Sequence, residues 1–418
     1  MAEFLDFYEP AEDSFLLQEQ VKKHAYGKVV DVGTGSGIQA LTAATVNNVT
    51  SILAIDINPL ALTHVQTQAK TKHLRIKTLL SSKFTSLPTK EKFDTIICNP
   101  PYLPEDAHIV DPALFGGKHG FEWSEDFLSH AANYLDPNGQ ILFLFSSLTI
   151  KEKIDGIIAQ NLLESVLLST GKIPFETLYI YKITKSPIRK QIESAGISSI
   201  QYHAKGKRGL VYKAKYNPTK LIKKTSSKHI AVAIKITNPN SHAKSRIEIE
   251  GNILKEMNKH SIGPKLYLAT KEFLVLEFIE GVLLEKHLPT LSSSDAKVLL
   301  TKVLAQCFTM DALGYSKEEM HHPYKHILLS KNQEPIFIDF ERATKTDRPK
   351  NVSQCLEYFA RNKTILTILN QTPESIRTLA KTYQKTKETY NSVLTQLFPP
   401  HQPTSKSHIK QIHKPSKK

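Results

Sequence analysis

Two short stretches and one carboxylate stand out in the 418-residue chain for the chemistry their residue types allow. Gly33-Thr34-Gly35-Ser36-Gly37 sets three glycines at alternate positions. A loop without side chains there lets backbone N–H groups come close to a ligand. Asp56 ends the apolar run Ser51–Asp56, where a carboxylate can accept hydrogen bonds from two neighbouring hydroxyls. Asn99-Pro100-Pro101-Tyr102 directly follows the apolar run Phe93–Cys98. It offers a side-chain carbonyl, a backbone carbonyl and a flat ring.

These groups need elements to hold them. Lys28–Val32 reads as an apolar strand, the glycines break it, Ile38–Val46 has helical spacing, and Ser51–Asp56 is a second strand. Phe93–Cys98 and Gly139–Phe145 are further short strands of the buried type, with helical segments between them. Strands alternating with helices predict an α/β fold with a parallel, doubly wound sheet, ligands sitting at the carboxyl edge. Thr177–Ile183 reads as its last strand, and the polar stretch Thr184–Lys190 as the boundary. The second half is predicted to be an α+β unit. Its strands are Ile230–Ile236, Phe273–Phe278 and Pro335–Phe340, with helices over 247–257 and 294–313. The expected domains are 1–185, 186–395, and a basic disordered tail at 396–418 rich in proline and lysine.

Composition excludes several classes. The chain is 40% hydrophobic and 23% charged, which fits a folded soluble protein. No apolar run approaches the ~18 residues of a membrane span, so no membrane partner is expected. The acidic start at Met1–Asp6 does not resemble a signal peptide. Cys98, Cys307 and Cys355 lie far apart, which argues against a disulfide framework and a CxxC zinc site and points to a reducing, cytoplasmic setting. The net charge of +15 is uneven. Residues 1–185 hold 16 basic and 21 acidic side chains, leaving 39 basic and 19 acidic for 186–418. Such asymmetry suggests two units with different partners, the basic half having a solvated surface or meeting ribosome or RNA.

The tight glycine loop differs from the Gly-x-Gly-x-x-Gly of dinucleotide folds and resembles that of class I S-adenosylmethionine (SAM) methyltransferases. Asn99–Tyr102 resembles the signature of enzymes that methylate planar nitrogens, adenine N6 or glutamine Nδ. An amide nitrogen is a poor nucleophile because its lone pair is delocalised. If the Asn99 oxygen and the Pro100 carbonyl each accept one N–H, the lone pair faces the donor methyl, while Tyr102 packs on the flat target group; Pro101 completes the catalytic motif. Tyr8-Glu9-Pro10-Ala11-Glu12-Asp13-Ser14 resembles the leader of archaeal and eukaryotic HemK-type release-factor glutamine methyltransferases. Gly116–Gly120, Ser146–Thr149 and Lys172–Glu176 add to this likeness, which spans about 1–185. The resemblance implies Tyr8, Asp13, Asp31, Gly33, Gly35, Gly37, Asp56, Ser82 and Asn99 as SAM-binding residues. It also implies the Gly-Gly-Gln glutamine of a translation release factor as acceptor, and a small zinc-binding activator protein as partner. Ser81-Ser82 stands where the family usually has an Asp near the donor's adenine.

Residues 200–345 resemble a predicted archaeal serine/threonine kinase family related to the RIO and Bud32 groups. Ala231-Val232-Ala233-Ile234-Lys235 is similar to the Val-Ala-Ile-Lys strand of kinases, and Ile338-Asp339-Phe340-Glu341 to the Asp-Phe-Gly metal site. The resemblance implies Gly206, Gly209, Lys235, Glu250 and Glu277 around ATP, with Asp339 and His326 on Mg²⁺ or Mn²⁺. His321 falls at the place of the catalytic Asp, with Glu319 as a substitute base. The altered loop leaves active phosphotransfer and a pseudokinase docking module both open. A nucleic-acid adenine N6 methyltransferase with the basic half as its grip is the competing reading of the whole chain. The Tyr8–Asp13 leader favours a protein substrate.

Overall fold

A computed structural model describes residues 7–106, 111, 113–206, 208–218, 229–238 and 246–399. The acidic start at 1–6, Lys207 of the glycine turn at 206–209, and nearly all of the expected tail (400–418) lie outside the described residues. The chain forms two units, Met1–His242 and Ala243–Lys418.

The first unit runs α1 (Glu12–His24), β1 (Gly27–Val32), α2 (Ile38–Ala43), β2 (Val49–Asp56), α3 (Pro59–Thr71), β3 (Lys77–Leu80) and β4 (Phe93–Cys98). It continues with α4 (Glu122–Tyr134), β5 (Leu135–Ser146), α5 (Lys151–Gln160), β6 (Leu163–Ile173) and β7 (Glu176–Lys185). Seven strands form one sheet in the order β3-β2-β1-β4-β5-β7-β6. Alternation along the strands explains why it is covered on both faces. Val30, Val32, Ile96, Cys98, Ile141, Phe143 and Phe145 pack with Phe127 and Leu128 of α4 and Ile154, Ile157 and Ile158 of α5. Their neighbours Val29, Ile97, Leu142 and Leu144 pack on the other face with Leu17 and Val21 of α1, Ala40 and Ala43 of α2, and Val65 of α3.

The sheet corrects one expectation. Strands β1 to β5 pair in parallel, but β7 runs antiparallel to both β5 and β6. The fold is therefore a mixed sheet, in which β7 is the last strand in chain order. The physical reason is the turn at Pro174-Phe175: with no helix between β6 and β7, the chain folds straight back, and a hairpin can only be antiparallel. Strand β6 was not expected because Leu163–Ile173 interleaves serine, lysine and glycine with its apolar residues.

Beyond Lys185 the first unit adds α6 (Pro187–Ser194) and the antiparallel strands β8 (Ile197–Lys205), β9 (Gly209–Tyr216) and β10 (Ile230–Thr237). Helix α6 is anchored by a buried polar network. The Lys185 Nζ donates to Leu135 O at 2.7 Å and meets Glu193 Oε2 at 2.6 Å. Arg189 donates to Glu193 Oε1 at 3.0 Å, Asn161 O at 2.7 Å and Asn133 Oδ1 at 3.0 Å. Burial pushes the Lys185 ammonium down to about 8 despite its carboxylate partner.

The second unit begins with α7 (Ile247–Asn258), the hairpin β11 (Leu266–Ala269) and β12 (Phe273–Glu277), then β13 (Val282–Leu283) and the short α8 (Leu284–His287). The long α9 (Ser293–Ala312) precedes β14 (Tyr315–Ser316), β15 (Ile327–Leu329), β16 (Pro335–Phe337) and β17 (Thr344–Lys345). Helices α10 (Asn351–Arg361), α11 (Lys363–Leu369), α12 (Pro373–Thr382) and α13 (Lys387–Leu397) close the described chain. The expected strand Pro335–Phe340 ends early, at Phe337. Asp339 takes a left-handed φ of 64°, which leaves the extended region a strand requires. No helix among the described residues is long and apolar enough to cross a membrane.

Candidate active site

The carboxyl ends of β1, β2 and β4 open into a cavity of about 330 Å³, within the ~300–1,000 Å³ of small-molecule sites. Asp13, Asp31, Gly33, Gly35, Asp56, Ser82 and Asn99 to Tyr102 all line it, with Tyr8 from the leader. These residues are brought together although they span 95 positions between Tyr8 and Tyr102, while Gly37, also expected around the donor, does not line the cavity.

The glycine loop has a physical basis. Gly33, Gly35 and Gly37 adopt left-handed φ values of 73°, 50° and 81°, which side chains rarely allow. Gly33 and Thr34 donate their N–H groups to Ile55 O at 2.9 and 3.0 Å, tying the loop to the end of β2. Gly37 also needs space, since a Cβ there would stand 2.5 Å from Val65 Cγ2. The Asp56 carboxylate accepts from Gly35 N and from Asn58 N, each at 2.9 Å. Each oxygen is fixed by one backbone donor and keeps a lone pair for a ligand hydroxyl. Asp31 is wholly buried, and Oδ2 accepts from Thr34 Oγ1 at 2.7 Å and Ala40 N at 3.1 Å. Burial pushes its carboxyl up to about 7, against the pull of those two donors and with help from the Asp56 charge.

The acceptor side is built around Asn99. Its Nδ2 donates to Asp13 Oδ2 at 2.9 Å. A carboxylate can only accept, so the amide group must turn its NH₂ to Asp13 and its oxygen away. That Oδ1 is buried and meets no hydrogen-bond donor among the described residues. It is placed to accept an N–H from outside. The Tyr8 hydroxyl donates to Asp13 Oδ1 at 3.0 Å, and the Tyr102 hydroxyl lies 3.5 Å from Oδ2. Burial, then the Asp13 charge, pushes both phenols well above their ordinary range, so both stay protonated donors. The Asn99–Tyr102 loop rests on a second glycine loop. A Cβ on Gly116 would meet Pro101 O at 2.5 Å, and one on Gly120 would meet Tyr102 O at 2.4 Å. Those glycines let two backbones touch, which is why Gly116–Gly120 accompanies the Asn99 motif.

Three contributors were not foreseen. Thr34 and Gln39 join the donor side of the cavity, and the chain's single tryptophan, Trp123, lines it with the Lys83 ammonium 4.5 Å from its ring centre. The uniqueness of Trp123 was the available signal. Ser82 is exposed on the cavity wall, whereas Ser81 is buried and its Oγ accepts from Ser86 N at 3.0 Å. The carboxylate at the end of β2 and the side-chain-free loop fit a nucleoside donor such as SAM.

The residues expected around ATP fall in different units. Gly206, Gly209 and Lys235 belong to the first, where Gly206 N donates to Gly209 O at 2.8 Å and Lys235 on β10 is opposite Val211 on β9. Glu250, Glu277, Glu319, His326 and Asp339 belong to the second. There Glu250 Oε1 accepts from Phe340 N at 3.1 Å, and His326 Nδ1 lies 3.9 Å from Asp339 Oδ2. Glu277 is exposed, its carboxylate 3.3 Å from Lys265 N. His321 ends a 3-10 turn, Glu318–His321, and its side chain lies outside the described residues. Lys317 was not singled out by sequence. It is wholly buried, bonded to Glu319 Oε2 at 3.1 Å and to Asp339 O, with Phe340 beneath it. Among the described residues, no group of three or more His, Cys, Asp or Glu could hold a metal ion.

Comparison with known proteins bears on the first unit. Residues 11–165 match the methyltransferase small domain family. A putative protein N5-glutamine methyltransferase of Methanocaldococcus jannaschii is 33% identical over 180 residues, 42% of this chain and 90% of that one. The human methyltransferase HEMK2 is 30% identical over 200 residues, 44% of this chain and 92% of that one. Among solved structures, the E. cuniculi Mtq2–Trm112 complex aligns with 43% of this chain and 99% of that chain, at 23% identity and a TM-score of 0.36. The N-terminal region has the SAM-dependent methyltransferase architecture, and through it the chain belongs to the HemK-type family of glutamine methyltransferases.

Proposed function

We propose that the first unit transfers a methyl group from SAM to the side-chain nitrogen of a protein glutamine. The observation that carries this reading is the Asn99 Oδ1 at the carboxyl edge of the sheet, which meets no hydrogen-bond donor among the described residues. Asp56 would hold the ribose hydroxyls, Asp31 and the glycine loop the amino-acid end of the donor. When bound, SAM supplies the electrophilic methyl. The protein's part is positioning: Asn99 Oδ1 and the Pro100 carbonyl accept the two amide hydrogens, and the Tyr102 ring walls the carboxamide plane. The names of the relatives favour glutamine over adenine, and several bacterial relatives are release factor glutamine methyltransferases. The glutamine of a release-factor Gly-Gly-Gln loop is accordingly our proposed acceptor. Label from SAM should appear on the release factor and vanish from its Gly-Gly-Gln→Gly-Gly-Ala variant. Label on that variant, or on DNA or RNA alone, overturns the reading.

A small zinc-binding activator is proposed for the β3 edge of the sheet. Leu80 is 55% exposed there, and Leu60 on the neighbouring α3 is 51% exposed. Co-purification lost on Leu80→Asp checks it. For the second half of the chain we propose a kinase-like domain that binds ATP with Mg²⁺ or Mn²⁺. Metal-dependent ATP turnover abolished by Asp339→Ala supports that. Without turnover in the parent protein, the role that stands is docking, in which the excess of lysine and arginine meets ribosome or RNA with steep salt dependence.

A further inference from the structure

Asp13 comes from the leader, 86 positions before Asn99, and sequence likeness places it among the cofactor ligands. Its actual surroundings are different. Oδ1 takes the Ser14 N–H at 2.5 Å, the Ser14 hydroxyl at 3.2 Å and the Tyr8 hydroxyl at 3.0 Å. Oδ2 takes the Asn99 amide at 2.9 Å and faces the Tyr102 hydroxyl at 3.5 Å. Asp13 is 3% exposed. Five protein donors converge on a group with about four lone-pair sites. The carboxylate is saturated by the protein and has nothing left for a cofactor.

We propose that Asp13 is a positioning residue for methyl transfer: it fixes which end of the Asn99 carboxamide faces the acceptor. This rests on the reading of the site as an amide clamp. An asparagine side chain has two nearly isosteric ends, and a half-turn exchanges an acceptor for a donor. A clamp presenting NH₂ to the target amide would set donor against donor and lose the alignment of the lone pair. Only a pure acceptor behind Asn99 forbids that half-turn, and Asp13 is one. The leader helix α1 thereby acts on the acceptor side of the reaction through Asn99.

The pattern makes Asp13→Asn informative beyond a simple loss. The Ser14 N–H is an obligatory donor, so the new carboxamide must turn its oxygen there. Its NH₂ then faces Asn99 and forces Asn99 to present NH₂ to the target. Asp13→Asn should lower kcat for a glutamine peptide roughly 10- to 100-fold, as for one lost charge-assisted hydrogen bond in the transition state. SAM affinity by calorimetry should stay within about threefold, since Asp13 is not a ligand. Adding Asn99→Asp should restore at least about tenfold of the loss. In that double variant one oxygen of the carboxylate introduced at position 99 accepts from the carboxamide introduced at position 13, and the other faces the target. A parallel fall in SAM affinity, unchanged kcat in Asp13→Asn, or a double variant no better than the single overturns the proposal. The ¹⁵N side-chain resonance of Asn99 reads the same orientation without turnover. Strong hydrogen-bond deshielding of its NH₂ in the parent, lost in Asp13→Asn, is expected; an unshifted resonance counts against it. If the parent methylates no glutamine peptide, the clamp reading falls, and this resonance still reports whether Asp13 sets the orientation.

Discussion

The two candidate sites treat their polar groups in opposite ways. At the first, side chains are bonded on one side and open on the other. Asn99 gives its NH₂ to Asp13 and leaves its oxygen without a donor among the described residues, and Asp56 gives one lone pair per oxygen to backbone N–H groups. In the second, the cluster under Phe340 is closed on itself. Lys317 puts its ammonium against Glu319 and the Asp339 carbonyl, with Glu250 nearby holding Phe340 N. Burial pushes the Lys317 ammonium down, and the charges of Glu319, Asp339 and Glu250 pull it back up. A half-satisfied polar group is costly unless a ligand completes it, whereas a buried ion pair bonded within the protein is structural first. The difference teaches where outside chemistry is to be sought in this chain.

The largest effect should come from the open side. Asn99→Ala should reduce methyl transfer by about 10²–10³-fold, the range for removing one preorganised polar group from a transition state, while SAM binding by calorimetry changes little. Comparable loss of both would erase the distinction between acceptor and donor sides. Next, Lys317→Met should destabilise the second unit by about 3 kcal/mol, because buried carboxylates lose their counter-ion. Thermal unfolding checks this, and methyl transfer by the first unit should stay within about twofold. A neutral Lys317→Met would mean that the cluster is not closed as described.

Smaller effects sharpen the donor side. Gly37→Ala should cost roughly 1–3 kcal/mol through left-handed strain and the approach to Val65. Val65→Ala in the same chain should recover the steric part, as read from melting temperatures. The smallest effect is on pH. The Asp31 carboxyl lies at about 7 in the fold, above the ordinary value of 3.8. Because its folded value is raised, its contribution to stability is full below the ordinary value and is lost as pH rises through about 7. A cationic donor favours the ionised form, so SAM affinity should move the other way. It should rise about tenfold between pH 6 and 8, and Asp31→Asn should flatten the profile. A flat profile in the parent would show that Asp31 does not sense the donor's charge.

Much of the donor side was legible in the sequence because its parts are local. The Gly33–Gly37 loop, the strand-end Asp56 and the loop after β4 each follow from residues within a few positions, since left-handed φ and strand ends are set by short-range sterics. The antiparallel β7 was not legible, because the polar residues of β6 hid a strand that long-range pairing supports. Lys317 escaped notice for a similar reason: an isolated lysine in a polar stretch shows its role only through the groups packed around it.

The sequence by itself determined the alternation of strands and helices, the glycine cradle and the acceptor types at positions 99 and 100. Tertiary structure alone decided the direction in which those acceptors point. Asn99 carries a donor and an acceptor on one side chain, and no local rule chooses between its two ends. The choice is made by Asp13 on a different element, because a carboxylate accepts hydrogen bonds and cannot give one.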